Sequence, residues 1–309
     1  MRAGERSKGA TAFVTLEPCA HQGKTPPCAD ALVKAGISRA VVATMDPDPR
    51  VSGKGLETLR AAGIEVELGV LGDEAAALNA GFFLSVSEAR PLVTLKLATS
   101  LDGRIAAQGG DSKWITGEHA RSLAHGLRAR HDAVAIGIET ALSDDPSLTC
   151  RLPGMAATSP VRVVFDTNLR LPLDGHLLAA ASDVRLILVA SDAVEPDRKV
   201  ALEAKHAEVL LVPPGRDGRP DLATALSRVA ELGITRMLCE GGGGLAAALV
   251  AAGFVDRIAW FRAPSLIGGD GLPSIGSIGV QRVAEAPAFI RTAMLQVGND
   301  TLETYGLPA

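Results

Sequence analysis

Aromatic residues are scarce in this chain of 309 residues, which has seven Phe, two Trp and one Tyr. Proteins that bind single-stranded nucleic acid stack bases on aromatic rings, and nucleic-acid binding in general depends on a basic surface. The formal net charge here is −4. These two shortages argue against a nucleic-acid partner.

Long apolar runs are missing as well. No uncharged stretch approaches the ~20 residues that span a bilayer, and residues 1–6 carry charges with no apolar segment behind them. We therefore expect no membrane partner, no signal peptide and a cytoplasmic location.

The four cysteines then stay reduced, so a close pair indicates metal ligands more readily than a disulfide. Cys150 and Cys239 are expected to be ordinary buried thiols.

The chain has instead a steady alternation of β-rich runs with Ala- and Leu-rich helical runs, which predicts α/β architecture with a largely parallel sheet. Strands are predicted at residues 11–16, 39–45, 64–71, 92–98, 133–138, 161–165, 184–190, 207–212, 235–239, 257–262, 290–297 and 300–305. Helices are predicted at residues 29–36, 54–63, 73–87, 117–130, 197–206, 221–233 and 244–253. Several of these helices reach a glycine at the expected stop: Gly36, Gly63, Gly233 and Gly253.

Two breaks in this pattern predict a domain boundary and a hairpin turn. Pro91 follows a long helical run and precedes a new strand, which predicts two domains, residues 1–88 and 89–309. Residues 298–300 (GND) join the last two predicted strands and favour a hairpin turn. The second sheet is therefore expected to have an antiparallel edge.

Two cysteines, Cys19 and Cys28, flank a Pro-rich loop between a strand pattern and a helix pattern. A thiol at a helix N-terminus has a lowered pKa, so Cys28 would bind a metal more readily. Catalytic zinc takes three protein ligands, however, and no histidine precedes His21 in the sequence. Chemistry alone leaves two readings open, a zinc site and a pair of metal-free thiols; His21 is a substitute ligand that its nearness to Cys19 disfavours.

The same loop resembles a known family. Residues 16–21 (LEPCAH), the eight residues between the two cysteines, and residues 25–32 (TPPCADAL) are similar to the bacterial bifunctional riboflavin biosynthesis deaminase–reductases. Residues 45–49 (MDPDP) and 51–55 (VSGKG) continue the match. The resemblance implies a cytidine-deaminase-like three-layer domain in which Cys19 and Cys28 bind zinc.

In the family, an upstream His-Ala-Glu run supplies the third zinc ligand and the carboxylate that moves protons. No such run precedes Cys19 here. We therefore expect a truncated deaminase domain and no deaminase turnover by this chain. Two alternatives stay open: a start codon assigned too late, and a working two-step enzyme whose missing ligands come from a partner chain.

From Pro91 onward, the resemblance to the family's reductase domain, similar in fold to dihydrofolate reductase, is nearly continuous. Its motifs follow in order at residues 94–104, 112–117, 127–129, 137–151 and 240–242. The resemblance implies a mostly parallel mixed sheet, NADPH as cofactor and a small phosphoribosyl-pyrimidine substrate. The implied reaction reduces 5-amino-6-(5-phosphoribosylamino)uracil at C1′ of the ribose.

A run of glycines, residues 240–244 (EGGGG), follows a predicted strand and opens a predicted helix. Backbone N–H groups of such a turn can approach a phosphate at the helix N-terminus. No Gly-x-Gly-x-x-Gly stands in a first βαβ unit, so a dinucleotide would bind in a non-Rossmann manner. The family's usual Gly-Gly-Pro-Thr reads as four glycines at 241–244, so a hydroxyl is missing and cofactor affinity is expected to differ.

The resemblance also assigns site residues. Substrate-contact positions of the family hold Ser112, Arg128, Leu148, Arg151 and Glu240. Cofactor-contact positions hold Ala98, Trp114, Thr140, Asp144, Thr167, Gly241, Gly242, Gly243 and Gly244. Arg128 and Arg151 are expected to clamp the substrate phosphate, because guanidinium suits bidentate phosphate contacts.

Catalysis has only weak candidates, Lys96 and Asp102. Lys96 interrupts an apolar strand and either reaches the surface or points into a cleft near Asp102. No proton donor is evident, and water is the alternative. A non-catalytic nucleotide or ribotide binder is the rival interpretation from another class. We also expect the chain to form a homo-oligomer.

Overall fold

The computed structural model describes residues 4–23 and 25–308. The chain forms two compact units, Met1–Ala89 and Arg90–Ala309, so the division falls one residue after the position expected from Pro91. Among the described residues, no helix is long and apolar enough to cross a membrane.

The first unit contains a three-stranded sheet with helices in the connections. The order along the chain is β1 (Thr11–Val14), α1 (Cys28–Lys34), β2 (Arg39–Val42), α2 (Lys54–Ala61), β3 (Glu65–Leu68) and α3 (Gly72–Ser87). The strands pair in the order β1-β2-β3, and both pairs are parallel. Buried Val42, Leu56 and Leu59 form the centre of its core.

The second unit is larger and is built around a nine-stranded sheet. Its elements are β4 (Leu92–Thr99), β5 (Arg104–Ala106), α4 (Glu118–Arg128), β6 (Ala133–Gly137), α5 (Ile138–Asp144), β7 (Val161–Phe165), α6 (His176–Ala179), β8 (Leu186–Ser191), α7 (Pro196–Glu203), β9 (Ala207–Val212), α8 (Leu222–Glu231), β10 (Arg236–Cys239), α9 (Gly243–Ala251), β11 (Arg257–Arg262), β12 (Leu272–Pro273), β13 (Ile290–Val297) and β14 (Asp300–Gly306).

The strand order in this sheet is β13-β14-β11-β4-β10-β6-β7-β8-β9. All pairs from β11 to β9 are parallel, and β14 runs antiparallel to both of its neighbours. This arrangement confirms the predicted mostly parallel sheet with an antiparallel edge. The hairpin joins Val297 to Asp300 through Gly298, whose φ is +65°.

Continuous apolar strands are covered on both faces of this sheet. In β8 every residue is buried; Ile187 and Val189 face one core, whereas Leu186 and Leu188 face another. Successive side chains of a strand point to opposite faces, so the absence of polar alternation in β8 follows from burial on both sides. The two largest clusters of buried apolar residues in the second unit therefore lie on opposite faces of this sheet.

Candidate active site

A large cavity opens where parallel strands of the second unit end. The strands β4, β10, β6 and β7 are neighbours and run in the same direction, so their carboxyl ends meet at one edge. The cavity there has a volume of about 1880 Å³. Ligands of open α/β sheets bind at this kind of edge. The predicted site residues that line the cavity are Lys96, Ala98, Ser112, Trp114, Thr140, Asp144, Thr167, Glu240, Gly241, Gly242, Gly243 and Gly244.

The glycine run forms a tightly packed turn between β10 and α9. A Cβ on Gly241 would lie 2.6 Å from the Cα of Ile136, and a Cβ on Gly243 would lie 2.7 Å from the carbonyl oxygen of Pro273. The N–H of Gly242 donates to Thr140 Oγ1 at 2.9 Å. Packing therefore requires glycine at Gly241 and Gly243, whereas Gly244 has no neighbour within 4 Å of an added Cβ.

Glu240 is held at the cavity wall by two cations. Arg128 donates from Nε to Oε1 at 2.6 Å and from Nη2 to Oε2 at 3.0 Å, and Lys96 Nζ lies 3.8 Å from Oε2. Burial alone would raise the pKa of the Glu240 carboxyl, but Arg128 and then Lys96 outweigh it and bring the pKa to about 2. Glu240 is therefore an ionised acceptor beside the cavity.

The two catalytic candidates do not form one cluster. Lys96 contacts Glu240 rather than Asp102. The Asp102 carboxylate accepts from Ser100 Oγ at 2.6 Å and from the N–H groups of Ile267 and Gly268 at 3.1 and 2.7 Å. These hydrogen bonds, that of Ser100 first, lower the pKa of Asp102 to about 2. Asp102 thus fixes the loop at residues 265–268 and has no proton to give near neutral pH.

Three of the predicted substrate residues lie outside the cavity lining. Leu148 is buried in an apolar core. Arg128 is largely buried and also donates from Nη1 to the carbonyl oxygen of Thr149 at 2.9 Å, so most of its guanidinium is engaged within the protein. Arg151 is exposed and lies against His125, a residue that the sequence reasoning missed.

Trp114 presents an open aromatic face to the cavity. Its side chain is 71% exposed, and the guanidinium carbon of Arg121 lies 4.4 Å from the ring centroid. Arg121 is itself fixed by a hydrogen bond from Nη1 to the carbonyl oxygen of Thr116 at 2.8 Å. An exposed aromatic face of this kind suits the flat ring of a ligand.

The residues of this cavity fit a nicotinamide dinucleotide. The glycine turn at the start of α9 brings backbone N–H groups to the cavity without side chains in the way, which is the geometry that phosphates select. Trp114 stands at another part of the same lining, and the volume suffices for a cofactor together with a small substrate.

The thiol pair of the first unit is brought together, but not as a catalytic zinc site. The N–H of Cys28 donates to Cys19 Sγ at 3.3 Å. The hydrogen bond between the thiols, followed by burial, raises the pKa of Cys28, so the lowering expected from its place at the start of α1 is wrong. Among the described residues, no three His, Cys, Asp or Glu side chains are grouped as metal ligands. The residues present do not fit a catalytic zinc ion.

Glu17, in the same motif, has a structural role. It is buried, and its carboxylate accepts from the N–H groups of Gly53 and Gly55, both at 2.9 Å. A Cβ on Gly55 would lie 1.9 Å from the carbonyl oxygen of Pro18. Glu17 therefore ties the cysteine loop to the start of α2, which only a glycine at position 55 permits.

Comparison with known proteins agrees with this geometry. Residues 91–302 match the RibD C-terminal domain. The riboflavin biosynthesis protein RibD of Aquifex aeolicus is 40% identical over 299 residues, which cover 97% of this chain and 81% of that protein. The RibD protein of Bacillus amyloliquefaciens is 43% identical over 301 residues, covering 96% and 79%.

Solved structures give the same answer. Acinetobacter baumannii RibD superposes with a TM-score of 0.88 at 38% identity, covering 99% of this chain and 83% of that one. A Thermotoga maritima diaminohydroxyphosphoribosylaminopyrimidine deaminase/5-amino-6-(5-phosphoribosylamino)uracil reductase has a TM-score of 0.82 at 34% identity, covering 97% and 80%. These matches confirm the resemblance inferred from the motifs and the dihydrofolate-reductase-like fold of the second unit. The chain belongs to the RibD family of riboflavin biosynthesis proteins.

Proposed function

We propose that the second unit reduces 5-amino-6-(5-phosphoribosylamino)uracil to its ribitylamino product with NADPH. The observation that carries this proposal is the position of Glu240 and the glycine turn in one cavity, at the carboxyl ends of β4, β10 and β6. A relative covering most of this chain is described as a reductase of that substrate.

When bound, NADPH supplies a hydride to C1′ of the ring-opened ribosyl group. The protein's part is to hold that carbon and to stabilise charge as it changes. Glu240, ionised and pinned by Arg128, accepts hydrogen bonds from substrate hydroxyl or N–H groups. The Lys96 ammonium, on the adjacent strand, places positive charge beside the acceptor heteroatom and donates a proton to it, and Ser112 adds a hydroxyl to the lining.

The anionic end of the substrate is assigned to Arg151. Its guanidinium is exposed, and no carboxylate lies within ion-pair distance of it in the described part of the chain. Arg128, in contrast, already contacts Glu240 and the carbonyl oxygen of Thr149. We therefore assign phosphate binding to Arg151 and the positioning of Glu240 to Arg128.

The experiment follows the transferred hydrogen. NADPH carrying deuterium at the transferable position should place that deuterium on C1′ of the product, as seen by mass spectrometry and NMR. Lys96→Met should lower kcat by ~10²-fold or more, the range of general acid catalysis. The matched control is Lys205→Met, an exposed lysine outside the cavity lining, which should leave turnover unchanged.

The rival is a protein that binds the nucleotide and the ribotide without turnover. NADPH binding by calorimetry with no substrate-dependent consumption would favour that rival. The same preparation tests self-association, which we propose from the sequence-based expectation of a homo-oligomer. Sedimentation of a single monomeric species would contradict that expectation.

A further inference from the structure

His125 lies on the last turn of α4, where the loop after α5 docks, and the proposed reaction gives it no role. The backbone N–H of Arg151 points at His125 Nδ1 at 3.3 Å, and Arg151 Nε points at Nε2 at 3.4 Å. Cys150 Sγ lies 3.5 Å from the carbonyl oxygen of His125. The backbone N–H and the guanidinium of Arg151 therefore face the two nitrogens of one imidazole ring, and only one of them at a time can donate to the unprotonated nitrogen.

These contacts depend on the protonation state of the ring. A neutral imidazole has one unprotonated nitrogen, and in either tautomer that nitrogen can accept a hydrogen bond from Arg151. An imidazolium has no acceptor and adds a second positive charge next to the guanidinium. Protonation of His125 thus removes the hydrogen bond and introduces repulsion.

The surroundings keep the ring neutral near pH 7. Burial lowers the pKa of His125, and the positive charges of Arg128 on the same helix and Arg151 on the docking loop lower it further. The Glu240 carboxylate at the end of β10 and the carbonyl of Thr149 act in the opposite direction without overcoming them. The Cys150 thiol, which is buried, lies against the carbonyl oxygen of His125.

We propose that neutral His125 is a positioning residue that holds Arg151 ready for the phosphate of the substrate, and that acid releases Arg151 and weakens substrate binding. This inference rests on the proposed function, because it concerns the same substrate. Glu240 connects this corner to the cavity, since it lines the cavity and bonds to Arg128 one turn from His125.

The test compares KM and kcat of the wild type and His125→Gln between about pH 8 and pH 5.5, where histidine titrates. In the wild type, KM should rise about tenfold or more towards acid pH, the scale of one hydrogen bond to a charged group, with a smaller change in kcat. Gln keeps a neutral acceptor at this position. The KM of His125→Gln should therefore change with pH only because the substrate phosphate titrates, at about pH 6 in every variant. His125→Ala should have a raised KM at every pH.

His119→Gln is the matched control, because it is the same change on the same helix at an exposed position. It should reproduce the wild-type profile. Calorimetry with ribose 5-phosphate, without NADPH, gives a second readout and should show the same acid-dependent loss of affinity only when His125 is present. Identical profiles for the wild type and His125→Gln, or a wild-type KM that falls in acid, would overturn the inference. If the wild type fails to consume NADPH at pH 8, the proposed function fails instead.

Discussion

Arg128 and Glu240 form a two-pronged ion pair that joins the end of α4 to the end of β10. The side chains are only 14% and 8% exposed, and the two hydrogen bonds measure 2.6 and 3.0 Å. A buried pair of this kind costs much to break and little to replace as a whole, because desolvation offsets most of its attraction. The pair is therefore informative about positioning rather than about net stability.

Removing one partner should destabilise the second unit far more than removing both. Arg128→Met leaves the Glu240 carboxylate buried without its main partner, and we expect a loss of about 3–5 kcal/mol. Arg128→Met with Glu240→Leu should recover most of that loss, since the buried carboxylate is gone and the remaining cation, Lys96, borders the cavity, while turnover is lost in both variants. Urea unfolding measures the difference, and equal stability of the single and double variants would contradict this account.

Acid should weaken the fold through the same carboxyl. The pKa of Glu240 lies at about 2, against an ordinary value of 4.5. Its ionised form therefore stabilises the folded state fully above about pH 4.5, and this contribution is lost as the pH falls from there towards 2. Between those values the free energy of unfolding should fall more steeply in the wild type than in Glu240→Gln. Parallel curves would show that other carboxyls account for the loss.

Alanine substitutions at two neighbouring positions of the glycine turn should change the stability of the fold in opposite directions. Gly243→Ala places a Cβ 2.7 Å from the carbonyl oxygen of Pro273 and should cost about 1–3 kcal/mol. Gly244→Ala meets no neighbour within 4 Å in a helical turn and should stabilise by about 0.4–1 kcal/mol. Thermal unfolding of the two variants checks that one stability change is a loss and the other a gain. Calorimetry checks whether NADPH affinity changes in the same direction as stability.

Trp114 should matter for the cofactor and hardly at all for folding. At 71% exposure, Trp114→Ala removes little buried surface, so the Tm should stay close to that of the wild type. NADPH affinity should fall, because the flat wall opposite Arg121 is lost, and Trp114→Phe should keep a larger share of it. A large drop in Tm with unchanged affinity would assign Trp114 to the fold instead.

The sequence predicted best those features that depend on neighbouring residues in the chain, such as the ends of helices. Gly36, Gly63, Gly233 and Gly253 were predicted to end helices, and all four adopt positive φ after a helix. Four short elements were missed: β5, α5, α6 and β12. Ile138 was assigned to the end of a strand but begins α5, because the apolar run through β6 hides the transition to a helix.

Side-chain partners were harder to predict, since they join residues far apart in the sequence. Lys96 was expected near Asp102, yet its partner Glu240 directly follows β10, the neighbouring strand of the sheet. The thiol of Cys28 was expected to be acidified by its helix, but a second thiol beside it has the opposite effect. The contact of His125 with Arg151 had no sequence signal, because it depends on how a loop docks on a helix.

The salt bridge between Arg90 and Asp256 bears on the choice of the first residue for a fragment that contains only the second unit. Arg90 donates from Nη1 and Nη2 to the two Asp256 oxygens at 2.8 and 2.9 Å, and Asp256 Oδ2 also accepts from the N–H of Val93 at 2.8 Å. The family match begins at residue 91 and therefore excludes Arg90, one partner of this salt bridge. A reductase fragment should therefore begin no later than Arg90, since without that residue the Asp256 carboxylate would lose both guanidinium hydrogen bonds and keep the one from the N–H of Val93.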